Sequence, residues 1–210
     1  MLVILDRDGV INFESDDFIK SPEEWRPIPG SLTAIAQLNQ AGHKVVIASN
    51  QSGVARGLFS LATLDAIHTK MQRELEKVNG RLDGIYFCPH GPEDGCRCRK
   101  PKPGLFATIA QDFPADFATA VAVGDSLRDI QAAKAAGCQM TILVKTGRGE
   151  KTLNQNPELQ ESLVFADLAA VVNFLVRKTR DSLKRTLSSR SKKQRHCGPR
   201  YRHEFLCKTN

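Results

Sequence analysis

Short apolar runs alternate along this chain with longer segments in which apolar positions recur every three or four residues. Leu2–Leu5, Lys44–Ala48, Ile85–Phe87, Ala120–Val123, Met140–Val144 and Val164-Phe165 are the runs, and their length and continuity predict buried strands. The intervening segments predict helices. Ser31 is positioned to cap one that carries Leu32, Ile35 and Leu38 on one face. Ser60 is positioned to cap a longer one with the stripe Leu64, Ile67, Met71, Leu75 and Val78. Leu105–Phe113 reads as helix, and so does Leu127–Ala136, closed by Gly137. A polar loop is expected after Val144, and a last helix from about Asp167 to Val176.

Strand and helix in alternation predict an α/β fold, a parallel sheet with helices on both faces. In such sheets ligands lie beyond the carboxyl ends of the strands. Asp6 and Asp8 follow the first run, Ser49 and Asn50 the second, Arg99 and Lys100 the loop after the third, and Asp125 the fourth. The polar groups suited to chemistry therefore fall on one edge. The interval from Asp8 to Ser49 holds one loop and one helix, so no large cap domain is expected. There is no internal repeat.

Charge divides the chain. Twelve of the 30 Lys/Arg lie in 177–210 against only Asp181 and Glu204, a net of +10. The first 176 residues carry 18 basic and 21 acidic groups, a net of −3. Residues 1–176 are read as one catalytic domain and 177–210 as a basic, disordered tail. The abrupt change in composition reads as an out-of-frame extension past a terminus near Val176. Nucleic acid is not expected as a partner, beyond weak non-specific binding by the tail: the body has no basic stripe and no aromatic stacking platform. No segment reaches the roughly 20 apolar residues of a membrane span, and the chain is expected to be a cytoplasmic monomer.

Asp6 and Asp8 stand two residues apart beyond a buried strand, ahead of Gly9. Asp6 is placed to attack phosphorus and form an acyl phosphate. Asp8 is placed to protonate the leaving alkoxide and later to deprotonate water. A D-x-D alone is equally well a polar turn. Asp125, at another strand end, changes the weighing, because carboxylates facing one another call for a divalent cation and oxygen ligands suit Mg²⁺. Ser49, Asn50, Gln51 and Ser52 offer a hydroxyl and amides to a phosphoryl group, and Lys100 a positive charge. Asp129, one turn into the next helix, is read as supporting the metal from behind.

Cys88-Pro-His90 and Cys96-Arg-Cys98 supply three thiols and an imidazole, a tetrahedral set for structural zinc that would pin the loop preceding Arg99 and Lys100. His43 and His68 read as structural and Cys138 as packing. Trp25 reads as a loop anchor or a substrate contact. His196, Cys197, His203 and Cys207 are not read as a second metal site.

The stretches DRDGV at 6–10, SNQSG at 49–53, RKPKPG at 99–104 and VGDSLRDIQAA at 123–133 resemble the haloacid dehalogenase (HAD) superfamily of phosphotransferases across 1–176. That resemblance implies a HAD-like Rossmannoid sheet with Asp6 as nucleophile and Asp8 as acid/base. It implies Ser49 and Lys100 on the phosphoryl group, and Mg²⁺ on Asp6, the Asp8 carbonyl and Asp125. The cysteine loop resembles a zinc-loop subgroup acting on phosphorylated small molecules. There the NQSGVARG stretch at 50–57 is closer to enzymes that remove the 7-phosphate of a heptose 1,7-bisphosphate, a precursor of lipopolysaccharide core, than to histidinol-phosphate phosphatases. By the same resemblance Arg99 would contact the second phosphate or the sugar. Residues 14–17, with Asp16 and Asp17 among them, and Ser126 would line the substrate site.

Overall fold

The computed structural model describes residues 1–161 and 163–194. Its six strands are β1 (Leu2–Leu5), β2 (Lys44–Asn50), β3 (Gly84–Cys88), β4 (Val121–Gly124), β5 (Met140–Val144) and β6 (Leu163–Phe165). They are parallel throughout and stand in the order β3-β2-β1-β4-β5-β6. Each apolar run read as a strand is a strand. All residues of the central β1 and β4 are buried, which is why these runs lack polar alternation.

The helices are α1 (Ser31–Gln40), α2 (Leu61–Glu76), α3 (Gly104–Asp112), α4 (Pro114–Phe117), α5 (Leu127–Ala135), α6 (Gly149–Gln155) and α7 (Leu168–Gln194). Leu2, Ile4, Val46 and Ala48 pack against Leu105, Phe106 and Ile109 of α3 and against Ala132 and Ala133 of α5. A second cluster joins Ile130, Leu143, Leu153 and Leu159. On α2 the predicted stripe is buried at Leu64, Ile67, Met71 and Leu75, and the Ser60 hydroxyl accepts from Thr63 N at 3.0 Å as a cap.

Four expectations are corrected. Ser31 does not cap α1: Gly30 holds the cap position in a left-handed conformation, and the Ser31 hydroxyl donates to Ile11 O at 2.6 Å. Residues 114–117 form a helix that short-window periodicity misses, started by Pro114 at a first-turn position. The expected polar loop after Val144 contains α6, whose Leu153 reaches the second cluster. Finally, α7 continues to Gln194 instead of ending near Val176. Lys, Arg, Gln and Leu have good intrinsic helix propensity, and 177–194 contain neither Gly nor Pro, so charge alone does not stop the helix. The four His and Cys residues of the tail lie outside the described residues.

The chain divides into two compact units, Met1–Phe174 and Leu175–Asn210. Among the described residues no helix is long and apolar enough to cross a membrane.

Candidate active site

The chain builds β1, β2 and β3 in one direction and then returns to the other side of β1 for β4. This reversal opens a crevice beyond β1 and β4, where ligands bind in sheets of this kind. Asp6 is the first residue past β1, tied to β4 by its amide donating to Val123 O at 2.9 Å. Asp125 is the first residue past β4, and Ser49 and Asn50 end β2.

Lys100 lies beneath this crevice, 2% exposed. Its Nζ is 2.6 Å from Asp129 Oδ1 and 3.1 Å from Asp6 Oδ2, and it donates to Ala48 O at 2.7 Å. Burial alone would lower the lysine's proton affinity, but Asp129 and Asp6 raise it, so the ammonium is held charged. Asp6 is pushed up to about 7, chiefly by burial, against the pull of Lys100 and with repulsion from Asp129, Asp125 and Asp8. Asp125 is also pushed up to about 7, by burial and then by Asp129. The crevice therefore holds more negative charge than one lysine neutralises. Carboxylate oxygens of Asp6, Asp125 and Asp129 approach within 4.8 Å of one another, which fits a hard divalent cation. Asp129 is itself occupied by Lys100 and accepts from Ser126 N at 3.0 Å and from the Ser126 hydroxyl.

Asp8 has different neighbours. Arg7 Nη2 donates to its two oxygens at 3.0 and 2.9 Å, Asn12 Nδ2 to Oδ1 at 2.8 Å, and Gln51 Nε2 to Oδ2 at 2.8 Å. Burial would raise Asp8, but Arg7 and then the amides outweigh it and hold it below the usual carboxylate range. Arg7 is wholly buried, also donates to Gln51 Oε1 at 3.1 Å, and lies 3.5 Å from His68 Nε2. Sequence reasoning assigned neither Arg7 nor Asn12. A cation between two acidic residues at a buried strand end is the signal that was available.

The two amides expected on the phosphoryl group are largely committed to protein. Asn50 is paired to the Lys100 backbone through both ends of its side chain, at 3.0 Å each. Gln51 bridges Asp8 and the Ser49 hydroxyl, at 2.8 Å each. Both line the cavity, but their side chains mainly fix Lys100, Asp8 and Ser49.

The cavity above measures about 250 Å³ and is lined by Asp6, Asp8, Ser49, Ser52, Arg56 and Arg99, and also by Glu14, Asp16, Arg128 and Arg148. Asp17 and Ser126 do not line it. Asp17 sits in an exposed turn, its amide donating to Ser15 Oγ, and the Ser126 side chain is spent on Asp129 at the start of α5. Arg148 joins three carboxylates of the site: its amide donates to Asp125 Oδ2 at 2.8 Å, and its side chain reaches Glu14 Oε1 at 2.6 Å and Asp16 Oδ1 at 3.3 Å. An arginine between two glycines past β5 was on the productive edge, but nothing in its local sequence named its partners. A side chain at Gly9 or Gly147 would strike Asp125: an added Cβ would stand 2.1 and 2.2 Å from Oδ2, and both glycines have positive φ. Trp25 is 1% exposed and anchors its loop, with Lys70 Nζ donating to its carbonyl at 3.2 Å.

The cysteine loop closes on itself. Cys98 Sγ lies 3.1 Å from Cys88 Sγ and 3.6 Å from Cys96 Sγ, with Cys88 to Cys96 at 3.7 Å. His90 Nδ1 is 3.6 Å from Cys88 Sγ and 3.4 Å from Cys98 Sγ. Ligands about 2.3 Å from a common centre in a tetrahedron stand roughly 3.8 Å apart, so the four atoms fit such an ion. Lys102 Nζ donates to Cys96 O at 2.8 Å, joining this loop to the segment that carries Lys100.

A parallel sheet reversing at β1, paired carboxylates at the reversal and a lysine buried beneath them define a hydrolase of the HAD type, a phosphatase. The HAD-hydrolase-like family model matches residues 97–171. The chain is 57% identical over 175 residues to the D-glycero-beta-D-manno-heptose-1,7-bisphosphate 7-phosphatase of Bordetella bronchiseptica, covering 83% of this chain and 97% of that protein. The Pseudomonas aeruginosa enzyme of the same name is 50% identical, with the same coverage. Among solved structures, the B. bronchiseptica D,D-heptose 1,7-bisphosphate phosphatase complexed with magnesium and phosphate matches with a TM-score of 0.81 at 56% identity, covering 84% of this chain and 98% of that one. The Burkholderia thailandensis enzyme matches at 0.65 and 46%, covering 83% and 97%. The chain belongs to the D-glycero-beta-D-manno-heptose-1,7-bisphosphate 7-phosphatase family of HAD-type phosphatases.

Proposed function

We propose that this chain removes the 7-phosphate of D-glycero-β-D-manno-heptose 1,7-bisphosphate through a phospho-aspartate on Asp6. The observation that carries the reading is Lys100, buried and 3.1 Å from Asp6 Oδ2, in a chain so similar to phosphatases of that name. Asp6, the Asp8 carbonyl and Asp125 would hold Mg²⁺, which offsets the charge of the phosphate and of the crowded carboxylates.

An Asp6 oxygen attacks phosphorus, the bond from phosphorus to the C7 oxygen breaks, and Asp8 delivers a proton to that oxygen. Water then attacks the phosphorus of the acyl phosphate while Asp8 takes its proton, and phosphate leaves with Asp6 restored. Ser49 and Lys100 hold the phosphoryl oxygens throughout. The bracket of Arg7, Asn12 and Gln51 keeps Asp8 ionised in the free site, ready for the second step. For the first step Asp8 takes up a proton from solvent as substrate binds, which a dianionic phosphate beside it favours.

The test is kcat/KM for heptose 1,7-bisphosphate against histidinol phosphate, with the released position read by phosphorus NMR. A preference of at least about 100-fold for the bisphosphate, cleaved at C7, is expected. Histidinol phosphate as the better substrate would overturn the reading.

We also propose that Cys88, His90, Cys96 and Cys98 hold structural zinc. Cys96→Ser is expected to remove most of the zinc measured by elemental analysis and to lower the melting temperature. It should leave Mg²⁺ affinity, read by calorimetry, within about threefold, because the two ion sites share no ligand. Purified wild-type protein without zinc would count against the assignment.

A further inference from the structure

The contacts of the buried Arg7 guanidinium divide among its nitrogens. Nε donates to Asp8 Oδ1 at 3.2 Å, and Nη2 donates to both Asp8 oxygens and to Gln51 Oε1. Nη1 meets His68 Nε2 at 3.5 Å. His68 is buried on α2, between Leu64 and Met71 of its apolar stripe. Its ring leans on Phe87 of β3, with centroids 5.8 Å apart and planes at 56°. A guanidinium has donors alone, so Nε2 is the acceptor and the imidazole proton sits on Nδ1. Burial first and Arg7 next push His68 down to about 4, against the opposite pull of Asp8, so the ring is neutral at neutral pH.

We infer that His68 is a positioning residue for Asp8: from α2 it accepts from Arg7 Nη1 and so aligns the Arg7 fork on the acid/base carboxylate. This rests on the phosphatase reading above, which makes Asp8 the proton donor to the leaving oxygen. The pairing of Nε and Nη2 with Asp8 is directional, because the fork is planar and rigid. Its plane is set by what holds the remaining nitrogen. Residue 68 stands in an otherwise apolar stripe, where leucine would pack but would leave Nη1 a buried donor without a partner. A carboxylate there would hold Nη1 more strongly and compete with Asp8 for the charge. A neutral acceptor satisfies the donor and leaves the charge of Arg7 to Asp8. Asn12 and Gln51 also hold Asp8, at 2.8 Å each. Gln51 is itself bound to Arg7 Nη2, so turning the guanidinium would loosen Gln51 from Asp8 as well. His68 is not among the residues that line the cavity, so it acts through Arg7 and not on substrate.

The test compares kcat/KM for alkyl and aryl phosphates in wild type, His68→Leu, His68→Asn and His68→Gln. An alkoxide is protonated as it leaves, whereas 4-nitrophenolate departs as the anion, so the alkyl esters alone need Asp8 aligned as an acid. The ratio kcat/KM reports transfer to Asp6 and is blind to the later hydrolysis, in which Asp8 serves both ester types. Heptose 1,7-bisphosphate and fructose 1,6-bisphosphate are the alkyl esters, and 4-nitrophenyl phosphate is the aryl one. Leucine has no acceptor, the asparagine amide reaches only as far as the ring Nδ1, and the glutamine amide reaches as far as Nε2. The alkyl values are expected to fall by about 10-fold or more in the leucine and asparagine variants, mainly through kcat, and to stay within about threefold in the glutamine variant. The aryl value should stay within about threefold in all of them. Alkyl and aryl values falling together would make His68 a packing residue and overturn the inference. Alkyl values unchanged in the leucine and asparagine variants, or as low in glutamine as in leucine, would overturn it too. Wild type that turns over the fructose ester but not the heptose one would remove the heptose assignment above, and the fructose and aryl values would then decide the role of His68.

Discussion

Asp6→Asn is expected to lower kcat by at least about 10⁴-fold while leaving the protein folded and as stable as the wild type or more so. The amide is nearly isosteric with the carboxylate and can still accept from the Arg7 amide, which donates to Asp6 Oδ1 at 2.7 Å. It cannot form an acyl phosphate. The stability half of the expectation follows from crowding. Asp6 is 7% exposed and pushed up to about 7, mainly by burial, with three further carboxylates repelling it. Removing its charge relieves that repulsion and leaves Lys100 paired with Asp129 at 2.6 Å. Phosphate release under saturating Mg²⁺ and thermal unfolding of the two proteins check the two halves separately. Turnover within about 100-fold of wild type would remove Asp6 from the role of nucleophile.

Lys100→Met should damage both folding and catalysis. The methylene stem is retained, so packing changes little. The ammonium is lost from between Asp6 and Asp129, 7% and 5% exposed, and Ala48 O loses its donor. Removing one partner of a buried ion pair leaves the other charge uncompensated, at a cost of about 3–5 kcal/mol. The transferring phosphoryl group loses its positive charge as well, a kcat effect of about 10³-fold. The two losses can be separated. Lys100→Met combined with Asp129→Asn removes a stranded charge together with its counter-ion and should regain much of the stability but none of the turnover. Urea unfolding and phosphate release on the single and double variants give the comparison. A Lys100→Met protein with wild-type stability would contradict the buried pairing.

The strands were legible because each is a continuous apolar run, and their carboxyl ends collected Asp6, Ser49, Lys100 and Asp125 on one edge without knowledge of strand order. The cysteine loop was legible because its three cysteines and one histidine lie within eleven residues, 88 to 98. What escaped depends on contacts distant in sequence. Arg148 matters through Glu14 and Asp125, and Gly147 through Gly9, and no local pattern records those meetings. Asn50 and Gln51 line the cavity, yet their side chains turn inward to Lys100 and Asp8, a choice made by the packed network. The basic segment after Val176 read as disordered from its charge, although its residues are capable helix formers and the described part, to Gln194, is helical.

The two glycine backbones pressed against Asp125 set how this scaffold can vary. No side chain fits at position 9 or 147 without displacing the carboxylate beneath, so the junction above β1 and β4 is closed to substitution. The rim is freer at its exposed positions, Asp16 and Arg56, although Gly53, in the loop that carries Arg56, is itself pressed against the Phe59 ring. New substrates can therefore be reached by rewriting the rim one loop at a time, with the reacting centre carried along unchanged.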